Sequence, residues 1–401
     1  MPERDRLIFH VDVNSAYLSW EAVYRLNILG ETKDLRDIPS AVGGSIEQRR
    51  GIIFAKSGPA RQFGIKTAET VNEALKKCPE LLIVPPRRDW YNSCSKAFMT
   101  LIQEYTSHVE KFSIDEAFMD MSDSRGFSEL PEETARKIKD RIKSELGFTV
   151  NIGISTNKLL AKMASDCKKP DLIHTLYPEE IPHKMWPLPV SELYMAGKAT
   201  VNMLHKLGIR TIGDLACADR DILISHLNKH GGMIHDYANG IDTSPVMDKQ
   251  PDNKGYGNSV TIGHDVTDIG EAREILAHLC GTVSRRLKKD GVHVGVISVV
   301  IKNNLLLKNS RQCTLASPTD TEAELSQHAC RLFEEAWDHT PIRLLGIQTS
   351  KVTRDRSEQL DLFHMKDYAR QAKLEKALEE IQSRFGPGSV MRGSSFPKKD
   401  Q

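Results

Sequence analysis

The run Leu7-Ile8-Phe9-His10-Val11-Asp12-Val13 constrains the fold more than any other stretch. It is apolar, of strand length, and not alternating, so it reads as a central strand buried on both faces. Asp12 is the anomaly in it. A carboxylate deep in such a strand is costly unless it is paired or binds a metal. Asn14-Ser15 supplies a cap for a helix running through Trp20 and Val23 to Leu26. Tyr17 falls on the first turn of that helix, close to Asp12. A lone Tyr in this place is by default a core aromatic.

A second stretch bears on the first. Phe112-Ser113-Ile114-Asp115-Glu116-Ala117-Phe118-Met119-Asp120 sets two adjacent carboxylates between strand-like runs, with Ala117, Met119 and Met121 alternating against Phe118 and Asp120. Asp115 and Glu116 therefore sit near the tip of a hairpin. Like charges so close call for a raised pKa or a bound cation. A solvated turn accounts for them equally well, because Asp is common in turns.

The elements around the hairpin shift the balance. Helices over 70–77, 89–105 and 131–146 and strands over 81–84 and 149–155 give an α+β order. It matches a ferredoxin-like sheet with helices on one face. Ser155 or Thr156 caps a further helix, which carries Lys158 and Met163 and ends near Lys169-Pro170. In that topology the first strand neighbours the acidic hairpin, and Asp12 meets Asp115 and Glu116. Three such carboxylates suit two Mg²⁺ ions roughly 3.5–4 Å apart, as an in-line phosphoryl displacement needs. Residues 34–44 read as loop, and Arg49 to Ala55 as a short hairpin strand. Lys56-Ser57-Gly58-Pro59-Ala60-Arg61 reads as a turn opening a helix, where backbone N–H groups and two cations suit a phosphate. An ordinary Gly-Pro turn with solvated cations looks the same.

The remaining chain is modular, since 401 residues exceed one core and point to three or more domains. After Trp186-Pro187-Leu188-Pro189 comes a small helical unit with helix-hairpin-helix spacing at Ala196-Gly197, Leu207-Gly208-Ile209 and Ile212-Gly213-Asp214. Such hairpins offer N–H groups to DNA phosphates, although spacing alone slightly favours a plain αα-hairpin. A polar linker reads as a flexible tether. Strand 259–262, helix 270–289, strands 292–302 and 311–315, helix 321–337 and strand 342–353 then form a second β-α-β-β-α-β unit. Its cluster Arg285-Arg286-Leu287-Lys288-Lys289 sits at a helix C-terminus, where the dipole favours cations; phosphate contact is the sharper reading. Net charge is +1, so any nucleic-acid contact must be a local groove. Seven scattered cysteines without a CxxC argue against a zinc site and for a reducing cytoplasm. No signal peptide or membrane-spanning run is evident. Gln359-Leu360-Asp361-Leu362-Phe363 is an apolar peptide in polar surroundings, with no reason to stay dry unless it docks. A charged helix over about 366–384 follows it.

Taken together these stretches resemble the Y-family translesion DNA polymerases, in the bacterial branch of DNA polymerase IV and UmuC. The resemblance rests on His10-Val11-Asp12-Val13-Asn14-Ser15-Ala16-Tyr17, Gly58-Pro59-Ala60-Arg61-Gln62-Phe63-Gly64-Ile65-Lys66, Phe112 to Phe118, and Gly153-Ile154-Ser155-Thr156-Asn157-Lys158 running on to Lys169-Pro170. It spans nearly the whole chain. It implies a right-hand architecture: a ferredoxin-like palm (1–15 and 87–176), small fingers (16–86), a helix-hairpin-helix thumb (177–243), a linker (244–257), a four-stranded αβ little finger (258–355) and a tail (356–401).

The resemblance also implies roles. Asp12, Asp115, Glu116 and the Val13 backbone carbonyl would hold two Mg²⁺ ions. Tyr17 would be the steric gate against a ribose 2′-hydroxyl, and Arg61 and Lys169 would contact the incoming dNTP. Many relatives read Asn-Tyr-Pro-Ala-Arg in the fingers turn; here Lys56 or Ser57 would take over from the missing phenol. The thumb hairpin reads Met195-Ala196-Gly197 where Gly-x-Gly is usual. Gln359, Leu360, Leu362 and Phe363 match the peptide that binds the bacterial sliding clamp. The implied protein is a cytoplasmic, nucleoid-associated monomer that extends primer-template DNA without proofreading. A catalytically silent, clamp-bound scaffold is the alternative, and a palm-type nucleotide cyclase a third reading that would not need the thumb or the clamp peptide.

Overall fold

The computed structural model describes residues 6–47, 49, 51–123, 130–248 and 251–355, and beyond them only 377, 381, 384 and 389. The peptide 359–363 and most of the expected tail helix lie outside the described residues. Among the described residues the strands are β1 (Ile8–Val13), β2 (Ser40–Gly43), β3 (Ile53–Lys56), β4 (Leu82–Val84), β5 (Val109–Lys111), β6 (Glu116–Asp120), β7 (Val150–Ser155), β8 (Ile173–Thr175), β9 (Gly257–Val266), β10 (His293–Asn303), β11 (Lys308–Thr319) and β12 (Ile342–Thr353). Packing divides the chain into two compact units, 1–46 with 51–251 and 47–50 with 252–401.

In the first unit β1 is the middle strand of a five-stranded sheet, ordered β5-β6-β1-β7-β8. Side chains alternate across a strand, so β1 serves two environments. Phe9, Val11 and Val13 face an apolar core shared with Tyr91, Phe98, Ala135 and Ile138. These come from the helices Arg88–Gln103 and Pro131–Arg141. Ile8, His10 and Asp12 face the other way, toward the helix Lys158–Asp166. Helices therefore cover both faces of the sheet, not one. Gly153, which pairs with His10, is the reason. A Cβ there would lie 1.9 Å from the Ala161 carbonyl oxygen and 2.5 Å from the Ser165 nitrogen, so only glycine lets the helix backbone lie flush on β7. The same helix sends Leu159, Leu160 and Met163 into a second core with Ile181, Leu204 and Ile234. The five-stranded sheet and the helical region that follows it are thus built around one shared helix.

Several local expectations are corrected. The helix Lys158–Asp166 is capped by Asn157, whose side chain accepts from Leu160 N at 2.9 Å. Ser155 is turned inward to the Leu176 carbonyl. Ser15 occupies the N-cap of Ala16–Asn27 but in a left-handed conformation, and its hydroxyl makes no cap bond. Residues 34–44 are not all loop: β2 pairs with β3 and, in parallel, with β4. The short strand β8, parallel to β7, was not foreseen. The helix over 131–146 changes at Ile142 into a π-helical turn that closes at Gly147 (φ +77°).

The expected tether over 244–257 is bound at its start. Asp242 accepts from Leu159 N at 3.1 Å, Arg6 donates to the Ser244 carbonyl at 3.2 Å, and Met247 N donates to Glu110 at 2.9 Å. Backbone polar groups that find such partners do not stay solvated.

The second unit is an antiparallel sheet ordered β11-β10-β12-β9. The helices Ile269–Asp290 and Glu322–Ala336 cover one face, packing Leu276, Leu287 and Phe333 on Ile297, Val299 and Ile347. On the other face Asn258, Ser259, Lys302, Lys308 and Gln348 line an open trough. The expected β-α-β-β-α-β order is present, with β9 and β11 longer than foreseen. All seven cysteines are free. No helix among the described residues is long and apolar enough to cross a membrane.

Candidate active site

The β1–β6 register places Asp12 opposite Glu116, and side chains of directly paired residues share a face. The hairpin before β6 is fixed by its own backbone: Phe112 N and Ser113 N donate to the Glu116 carbonyl at 3.0 and 3.1 Å, and Val13 N donates to the Asp115 carbonyl at 3.0 Å. Asp115 is thereby tied to the end of β1. Asn151 flanks Asp12 on β7.

Each carboxylate has its own donor. Asp12, 7% exposed, takes Lys169 Nζ at 3.0 Å. Burial lifts its pKa to about 7, with Lys169 opposing and the Glu116 charge adding. Glu116 takes Lys162 Nζ at 2.9 Å, and His10 Nε2 lies 3.5 Å away. Burial pushes Glu116 upward too, but His10 and Lys162 outweigh it and hold the group well below the usual carboxylate range. Burial lowers the His10 pKa, and its Nδ1 meets Ser165 Oγ at 2.7 Å. Asp115 accepts from Ser113 Oγ at 2.6 Å.

The expected convergence of Asp12, Asp115 and Glu116 is therefore present in the backbone and not in the side chains. Among the described residues no three acidic, His or Cys side chains form a group that could hold a metal ion as they stand. Like charges repel, and each carboxylate turns to a separate lysine or hydroxyl. The donor set nevertheless fits a hard divalent cation. It is oxygen-only, it sits on adjoining strand ends, and it includes a carboxylate whose ionised form is disfavoured by burial.

The other expected residues fall into two places. Lys169 lies at the carboxylates, bridging Asp12 and Asp166 at 3.0 and 2.9 Å. Tyr17, half-buried, stacks on Tyr91. Lys56 ends β3, and Arg61 lies on the helix Gly58–Gln62 that follows it. The Lys56 pKa is lowered by burial and then by the Arg61 charge, with the Glu69 charge opposing. Ser57 is corrected. It is 1% exposed, its hydroxyl donates to the Ile38 carbonyl at 2.7 Å, and it accepts from Ser40 N and Ala60 N at 3.1 Å each. It caps the helix Gly58–Gln62 and ties it to β2, with no hydrogen-bonding capacity left for a ligand. Lys162 was missed. Its signal is the four-residue spacing of Lys158, Lys162 and Asp166, which puts all three on one helix face.

This geometry has close relatives. Residues 11–166 match the impB/mucB/samB family and residues 253–362 match its C-terminal domain. The chain is 44% identical over 397 residues to DNA polymerase IV of Clostridium acetobutylicum, covering 99% of this chain and all of that protein. It is 38% identical over 403 residues to DNA polymerase IV 1 of Bacillus subtilis, covering 100% and 95%. The chain belongs to the impB/mucB/samB family of Y-family DNA polymerases. A solved Y-family DNA polymerase chimera has the same fold, with a TM-score of 0.72 at 21% identity over 87% of this chain and 100% of that one. The Y-family assignment covers both units, since the two family matches fall one in each.

Proposed function

We propose that the protein is a template-directed DNA polymerase of the translesion type, extending a primer 3′ end with dNTPs, error-prone and without proofreading. The observation that carries this reading is the β1–β6 register, which sets Asp12 beside Glu116 with Asp115 tied to the same strand end. Asp12, Asp115, Glu116 and the Val13 carbonyl would hold two divalent ions, Mg²⁺ by the hardness of the donors. Such ions lower the pKa of an attacking hydroxyl and stabilise charge on a leaving pyrophosphate.

The chain's own residues do the positioning. Lys169, already at the carboxylates, meets the triphosphate from the palm side. Arg61 and Lys56 meet it from the fingers. Tyr17 presents its ring to the sugar as a steric gate. The helix-hairpin-helix region 177–243 and the second unit grip duplex backbone, and the protein works as a monomer near the nucleoid. The peptide Gln359, Leu360, Leu362 and Phe363 docks to the sliding clamp, Leu362 and Phe363 filling an apolar pocket.

Primer extension tests the reading. Wild type is expected to extend a primer with Mg²⁺, and Asp115→Ala to lose about a hundred- to a thousandfold, as for removal of a principal electrostatic group. Extension that survives Asp115→Ala sinks the catalytic assignment; an inert wild type favours a scaffold.

A further inference from the structure

The Tyr17 ring is backed by a second ring and a buried charge. It lies against Tyr91 of the helix Arg88–Gln103, with centroids 4.9 Å apart and planes 20° from parallel. Trp20 closes the cluster at 6.0 Å from each. Tyr91 is 1% exposed, and its hydroxyl donates to Glu21 Oε2 at 3.0 Å. Glu21 is fully buried and sits one turn beyond Tyr17 on the same helix. Its other oxygen accepts from Arg25 Nε and Arg87 Nε, each at 3.1 Å. The Arg87 guanidinium in turn lies over the Tyr24 ring at 4.4 Å.

A fully buried carboxylate is a poor way to stabilise a helix pair. Apolar residues of the same volume generally serve as well or better. What three donors on one carboxylate do supply is a fixed geometry. Glu21 pins the helix Ala16–Asn27 to Arg88–Gln103 and locks Tyr91 against rotation. We infer that Glu21, acting through Tyr91, is a positioning residue for sugar discrimination: it stiffens the plate behind Tyr17 so that the gate cannot recoil from a 2′-hydroxyl. A steric gate discriminates only as far as it resists being pushed. If the ring can retreat by a fraction of an ångström, the clash is relieved and the ribonucleotide enters. Here retreat is opposed by a ring that is only 1% exposed and by a hydroxyl that would lose its partner.

The inference rests on Tyr17 being the gate, and the experiment separates the two. The full-length protein on primer-template DNA with Mg²⁺ is assayed in single-turnover incorporation of matched dNTP and rNTP. Tyr91→Phe keeps the stacking ring and removes only the link to Glu21. The ratio of deoxyribonucleotide to ribonucleotide efficiency is expected to fall about five- to tenfold, the scale of one buried hydrogen bond. Glu21→Gln is expected to move the ratio in the same direction. If Glu21→Gln fails to fold, Tyr91→Phe decides alone. Tyr17→Ala is the control. If it admits ribonucleotides while Tyr91→Phe keeps the wild-type ratio, the inference is overturned and the gate stands. If Tyr17→Ala keeps the wild-type ratio, the gate reading falls and the inference with it. A parallel loss of both efficiencies in Tyr91→Phe, with the ratio unchanged, marks a merely structural role and also overturns it.

Discussion

Gly153→Ala joins the fold to the chemistry in one methyl group. The new Cβ would sit 1.9 Å from the Ala161 carbonyl oxygen and 2.5 Å from the Ser165 nitrogen, both backbone atoms of the helix Lys158–Asp166. Neither can rotate aside, and carbon atoms do not approach such oxygens closer than about 3 Å. The helix must therefore lift from β7 by about 1 Å or more. Overpacking of this kind costs about 1–3 kcal/mol, which lowers the melting temperature by several degrees in a unit of this size. The displaced helix carries Lys162, which holds Glu116 at 2.9 Å, and Ser165, which meets His10 at 2.7 Å. A shift of about 1 Å at a reacting site is worth on the order of a hundredfold in rate. Circular-dichroism melting and single-nucleotide incorporation on the same preparation measure both effects. A variant that is folded, only slightly destabilised and strongly slowed is the expected outcome. Wild-type stability together with wild-type rate would refute the argument that flush docking of this helix sets the site.

Three further outcomes follow from local substitutions. Ser57→Ala is expected to destabilise the protein by about 1–3 kcal/mol by stranding Ser40 N and Ala60 N and removing a cap; a raised dNTP KM at unchanged melting temperature would restore Ser57 as a triphosphate ligand. Met195 is 50% exposed and held at φ +70°, the conformation glycine adopts freely. Met195→Gly should stabilise by up to about 1 kcal/mol, the left-handed strain relieved less glycine's entropy, and a lower melting temperature would contradict this. Replacing Leu362 and Phe363 with Ala should remove clamp-stimulated synthesis and leave extension without clamp intact; equal loss of both would argue against a docking peptide.

Sequence patterns made the backbone of the site legible and left its side-chain partners obscure. Asp12 could be read because a carboxylate in an unbroken apolar strand is anomalous, and Asp115-Glu116 because hairpin alternation fixes where the tip falls. Both signals are local. β2 and β8 were missed because their strand character comes from pairing: β2 lies between β3 and β4, and β8 has three half-buried residues along β7. Ser57 was misread for a related reason. A serine before Gly-Pro-Ala-Arg looks equally like a phosphate ligand and a helix cap, and only burial separates them. The start of the linker looked like a tether because its polarity is visible in sequence, while its partners Glu110, Arg6 and Leu159 lie far away along the chain.

The helix Lys158–Asp166 was legible as a helix but not in its contacts, and it does the most. One face supplies Leu159, Leu160 and Met163 to the core of the helical region. Another supplies Lys158 to Glu110, which also accepts from Met247 N. The same face supplies Lys162 to Glu116, and the backbone of the helix rests on Gly153. A rigid helix cannot shift on one of these faces without shifting on the others. Movement of the helical region is therefore felt at Glu116 and at the start of the linker together, so the carboxylate pair is coupled mechanically to the elements proposed to grip DNA. Without this helix on the second face of the sheet, Glu116 would lack Lys162 and His10 would lack Ser165.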